Sequence, residues 1–87
     1  MKARTVVSRN IRRLRVAKGL SQEALAVDAG IDRTYVSRLE RGLENPTVAV
    51  LERLASALNA KIIDFFDESQ AGRGKIPPLP SGRRPRR

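Results

Sequence analysis

Cysteine and histidine are both absent from this sequence of 87 residues. Without cysteine there is neither a disulfide nor a thiolate metal ligand. Without histidine as well, most zinc sites, the Ser-His and Cys-His nucleophile arrangements and the commonest general base are excluded. No glycine-rich phosphate loop is present and the carboxylates are scattered, so no enzymatic site is recognisable, and no cofactor or metal is expected. No apolar run approaches the roughly 20 residues that cross a bilayer, and the N-terminus lacks the apolar stretch of a signal peptide. The expectation is a soluble, cytoplasmic chain with no membrane partner.

Acidic residues are missing from both ends of the chain. The overall charge is +9, and its distribution is uneven: +7 over residues 1–20, −1 over 21–43, −3 over 44–70 and +6 over 71–87. Such an excess attracts polyanions, nucleic acid first. A chain this short buries only about 60–65% of its unfolded surface, which bounds it to one small domain with one modest core.

No segment alternates with a period of two, so the domain is expected to be all-α. Over residues 5–18, Val7, Ile11 and Leu14 recur at helical spacing, with Arg9, Arg12, Arg13 and Arg15 forming a basic outer face. Gly19 fits the left-handed end of that helix. Ser21 opens a second helix to about Ala29, with Leu25 and Ala26 facing inward, Leu20 closing over them, and Gly30 as the stop. Asp32 is the next N-cap, before a third helix over 33–41 that Gly42 ends. Asn45 is extended because Pro46 follows it. Thr47 caps a fourth helix, Val48–Leu58, whose expected buried stripe is Val48, Leu51, Leu54, Ala55 and Leu58, with Asn59 as C-cap. A short fifth helix covers about Ile62–Phe66 and is apolar nearly all round. From Ser69 the composition becomes basic and rich in glycine and proline. This divides the chain into a domain at 1–68 and a tail at 69–87 that is expected to be flexible.

Two short helices joined by a tight turn containing glycine are the helix-turn-helix pattern. The run Gly19-Leu20-Ser21-Gln22-Glu23-Ala24-Leu25-Ala26, then Ala29-Gly30-Ile31, then Tyr35-Val36-Ser37-Arg38-Leu39-Glu40-Arg41-Gly42, then Asn45-Pro46-Thr47, resembles the Xre / phage-repressor (Cro-like) helix-turn-helix family. The match spans about residues 7–67 and rests on the order and spacing of all these segments together. It implies a compact five-helix, repressor-like fold and a non-enzymatic DNA-binding transcriptional regulator, associated with a bacterial nucleoid. An antitoxin or coactivator-type protein-interaction module on the same fold is the alternative.

In this geometry the second helix of the motif enters the major groove. Arg33, Thr34, Ser37 and Arg38 share one outer face of the 33–41 helix, opposite Val36 and Leu39. The resemblance places base-reading positions on Arg33, Thr34 and Arg38, with Ser37 close by. Related phage repressors carry glutamine at several of these positions, whereas arginine suits the O6/N7 edge of guanine. At least one guanine per half-site is therefore expected, read by Arg33 or Arg38.

Phosphate-binding candidates are Ser21, Gln22, Tyr35, Arg41, Asn45 and Thr47. Ser21 and Gln22 start a helix whose free N–H groups favour an anion, and the resemblance supports Gln22. Capping alone would equally explain Ser21 and Thr47, turn formation Asn45, and packing Tyr35. By the same resemblance, Arg15 and Glu40 form a structural ion pair between the first and third helices. Ile63 and Phe66 are candidates for a two-fold interface, giving a homodimer on a roughly palindromic double-stranded operator. The tail has three readings: a basic arm on phosphates, a solubility tail, or a protein-binding segment through Pro77-Pro78-Leu79-Pro80.

Overall fold

The computed structural model describes residues 2–72, and every regular element among them is helical. The order is α1 (Ala3–Ala17), α2 (Gln22–Ala29), α3 (Arg33–Glu40), α4 (Val48–Leu58), a 3-10 turn (Ile62–Phe66) and α5 (Glu68–Ala71). Local chemistry sets most of these limits. The side chains of Ser21, Asp32 and Thr47 accept the backbone N–H groups of Ala24, Thr34 and Val50 at 2.9, 2.8 and 3.1 Å. Each removes one unsatisfied donor from a helix start.

The first four helix ends share one device. The N–H groups of Leu20, Ile31, Leu43 and Ala60 reach back to the carbonyls of Arg15, Ala26, Arg38 and Ala55 at 2.8–3.1 Å. These closures need a left-handed residue just before the donor. Gly30 (φ 70°) supplies it inside the turn between α2 and α3, and Asn59 (φ 52°) does so without glycine's freedom, using the side-chain type that best tolerates it.

Val7, Ile11, Leu25, Val36, Leu39, Leu54, Leu58 and Phe65 form the centre of one continuous core. Helix α2 packs on α3 and α4, and α1 lies against α3, α4, the 3-10 turn and α5. Burying side chains of this size contributes about 1.5–3 kcal/mol each before chain entropy is subtracted.

The structure departs from the sequence reading at four places. Helix α1 begins at Ala3, so Val6 is also buried. Val48 is 68% exposed rather than part of the stripe of α4. It stands at the first residue of that helix, before α4 runs under its neighbours, and Val50 packs against the core instead. The segment Ile62–Phe66 is a 3-10 turn, not an α-helix. Finally, residues 69–72, read as the start of the tail, include the helical turn α5, whose Ala71 is buried against α1. Asp67 caps that turn. The Ser69 hydroxyl, 2.6 Å from Asp67 Oδ1, does most to hold the carboxyl below its ordinary range, and the Ser69 and Gln70 N–H groups add to it.

Asn10, fully buried on α1, binds this C-terminal segment. Its amide donates to the carbonyls of Phe65 and Asp67, both at 3.0 Å, and its oxygen accepts from Arg13 Nε at 3.2 Å. Arg9 Nε donates to the Ala71 carbonyl. Much of the basic face of α1 therefore holds the protein together. Residues 73–87, with the Pro77-Pro78-Leu79-Pro80 run and all three readings of the tail, lie outside the described residues. Among those described, no helix is long and apolar enough to cross a membrane and no cluster of side chains could hold a metal ion.

Candidate nucleic-acid interface

Helix α3 is anchored by Val36 and Leu39, both essentially inaccessible. Val36 follows Asp32 by four residues and Leu39 follows Val36 by three, so both lie on one side of the helix. The opposite side then carries Arg33, Thr34 and Arg38, all exposed, and Ser37, half-buried. The four candidate base-reading residues thus share one surface strip. Arg33 has no hydrogen bond or ion pair among the described residues. Arg38 has two hydrogen bonds, one of them an ion pair: its Nε lies 2.7 Å from Glu44 Oε2, and its Nη2 lies 3.5 Å from the Leu43 carbonyl.

The phosphate candidates divide into four groups. Ser21 and Thr47 are exposed, and both cap helices. Gln22 is half-buried and donates to Glu40 Oε1 at 3.1 Å, so its amide faces the interior ion pair. Arg41 and Asn45 are exposed; Arg41 Nε lies 3.4 Å from the Ser37 carbonyl. Tyr35 is half-buried and its ring packs against the core. Burial pushes its hydroxyl above the usual phenol range, and the Glu44 carboxylate pushes in the same direction.

Arg15 and Glu40 meet side-on, Nε to Oε2 at 2.6 Å and Nη2 to Oε1 at 2.9 Å, with side chains only 8% and 3% exposed. The third nitrogen of Arg15 donates to the Leu20 carbonyl at 2.7 Å. One guanidinium thus fixes α1, the α1–α2 connection and the end of α3 relative to one another, and Gln22 adds α2 to the same network. A bidentate charged pair of this kind specifies angle as well as distance. It aims α3 but lies away from its outer face. Ile63 and Phe66, on the 3-10 turn, are 72% and 47% exposed.

Two contributors were not visible in the sequence reading. Asn10 sits among Val7, Ile11 and Leu14, and a polar residue on an apolar stripe is the signal that could have found it. Glu44 carried none, because six residues separate it from Arg38, which is not a helical neighbour spacing. Only the chain reversal at Gly42 (φ 75°) brings the two together.

A capped helix pair joined by a glycine turn, with a polar, arginine-bearing outer strip on its second member, is the helix-turn-helix architecture found in DNA-binding transcription regulators. The model of the helix-turn-helix family matches residues 11–65. The chain is 44% identical over 75 residues to the uncharacterized HTH-type transcriptional regulator y4dJ of Sinorhizobium fredii, covering 83% of this chain and 97% of y4dJ. The crystal structure of the restriction-modification controller protein C.AhdI from Aeromonas hydrophila superposes with a TM-score of 0.71 at 41% identity, over 72% of this chain and 96% of that one. The controller protein C.Esp1396I, solved as a tetramer with its natural 35 base-pair operator, superposes with a TM-score of 0.70 at 35% identity, over 78% and 90%. The chain belongs to the Xre / Cro-like helix-turn-helix family of transcriptional regulators.

Proposed function

We propose that the chain is a sequence-specific regulator that binds double-stranded DNA as a homodimer, with the outer strip of α3 in the major groove of each half-site. The observation that carries this is the exposure of Arg33, Thr34 and Arg38 on one side of a helix whose other side is locked into the core. Arg33 or Arg38 reads guanine; Arg41, Asn45 and the N-terminus of α2 lie against phosphates. The tetramer–operator structure of C.Esp1396I supports operator binding by an assembly of copies. Ile63 and Phe66, two large apolar side chains exposed on one turn, supply the two-fold contact. Such a regulator acts at the bacterial nucleoid in the cytoplasm.

Selection of bound duplexes from a randomised pool tests this reading. The expected product is a roughly palindromic site with half-sites about 34 Å apart, each holding a G·C pair. Sedimentation without DNA is expected to give a dimer at micromolar concentration, and Ile63→Glu a monomer. Enrichment of no sequence, or a wild-type monomer, would contradict it.

A further inference from the structure

An acid occupies the proposed DNA face. Glu44 follows α3 in the connecting loop, and its carboxylate takes Arg38 Nε at 2.7 Å. Arg38 Nη2, on the same edge of the guanidinium, turns toward the Leu43 carbonyl at 3.5 Å. A guanidinium presents five N–H donors in a rigid fork. With its side edge held by the protein, the edge left to an incoming partner is the outer one, between Nη1 and Nη2. The Glu44 charge also offsets that of Arg38, which weakens its attraction to phosphate. The pair is open to solvent, with side chains 45% and 28% exposed, so it lies at the surface where DNA would approach.

We propose that Glu44 is a specificity-determining positioning residue: it holds Arg38 with its outer edge toward a guanine and denies that arginine to the phosphate backbone. The inference rests on the reading of α3 as the base-contacting helix. It goes beyond that reading by assigning Arg38 its orientation and by giving an acidic residue a role in binding a polyanion. A long arginine that contacts phosphate is sequence-blind, whereas one fixed toward a base edge discriminates. Glu44 shifts Arg38 from the first use to the second.

The test uses the full-length chain and the duplex that the wild type enriches from a randomised pool, with each base pair of that duplex replaced in turn. Dissociation constants are measured at several salt concentrations. Arg38→Ala is expected to lose discrimination at one G·C pair, by about five- to hundredfold. Glu44→Ala is expected to lose most of the discrimination at that same pair. Its binding to unrelated duplexes should tighten, with a salt slope steeper by about one. Glu44→Gln keeps an oxygen acceptor for Arg38 Nε, so discrimination is expected to return while the tighter unrelated binding remains. If Arg38→Ala flattens the pair and Glu44→Ala discriminates like the wild type, the role of Glu44 is overturned and the reading of α3 stands. If Arg38→Ala still discriminates at every pair, base reading by Arg38 and the role of Glu44 fall together.

Discussion

Arg15 and Arg38 each pair with a glutamate, and the two pairs do opposite things. Arg15 is buried, bidentate and spans 25 residues of sequence to reach Glu40. Arg38 is exposed, held through one short contact and reaches six residues to Glu44. The interior pair fixes how α3 leaves the body of the domain. The surface pair sets how a side chain leaves α3. A similar contrast separates six of the arginines: Arg9, Arg13 and Arg15 of α1 bind groups that hold the fold together, whereas Arg33, Arg38 and Arg41 stand on or beside the outer strip of α3. High net charge therefore does not translate directly into DNA-binding surface.

Four variants sharpen that contrast. The largest effect is expected from Glu40→Ala, which leaves Arg15 charged, buried and unpaired, at a cost of about 3–5 kcal/mol in chemical denaturation. Replacing both partners, as in Arg15→Met with Glu40→Leu, should recover much of that loss, because no buried charge is then stranded. A double variant no more stable than Glu40→Ala would show that geometry rather than charge accounts for the loss. Asn10→Ala comes next. It leaves the Phe65 and Asp67 carbonyls without their donors, and a loss of about 1–3 kcal/mol is expected. Faster amide exchange in Phe66–Ala71 than in α3 would localise it. The smallest effect belongs to Glu44→Ala, whose exposed pair contributes about 0–1 kcal/mol to stability. A drop comparable with that of Glu40→Ala would abolish the distinction between the pairs.

What was legible in the sequence follows from the range of the interactions. Ser21, Asp32, Thr47 and Asn59 act within four residues of their own positions, so helix limits could be read from residue type and spacing. The core strip of α3 followed from Val36 and Leu39 in the same way. The partners of the arginines were not readable like this. Arg9 meets the carbonyl of a residue 62 positions away, and Asn10 one 55 positions away. Only the family resemblance points to the pairing of Arg15 with Glu40, 25 residues apart. The tail read at 69–87 opens on a helical turn that its glycine- and proline-rich composition overshadows. That turn owes its position to Asp67 and to donors on α1, neither of which composition reveals. Val48 escapes the expected stripe because helical periodicity identifies a side of α4 but not how far along it the neighbouring helices extend.

If stability and sequence reading reside in different arginines, Arg33→Ala separates the two. Arg33 is exposed on the outer strip and its side chain has no hydrogen bond or ion pair among the described residues, so its removal should leave the melting temperature unchanged. On the enriched duplex and its single-pair replacements, the variant is predicted to lose about 1–3 kcal/mol of discrimination at one base pair and to keep the preferences at the others. A uniform fall in affinity, with every preference intact, would make Arg33 a phosphate contact and not a base reader.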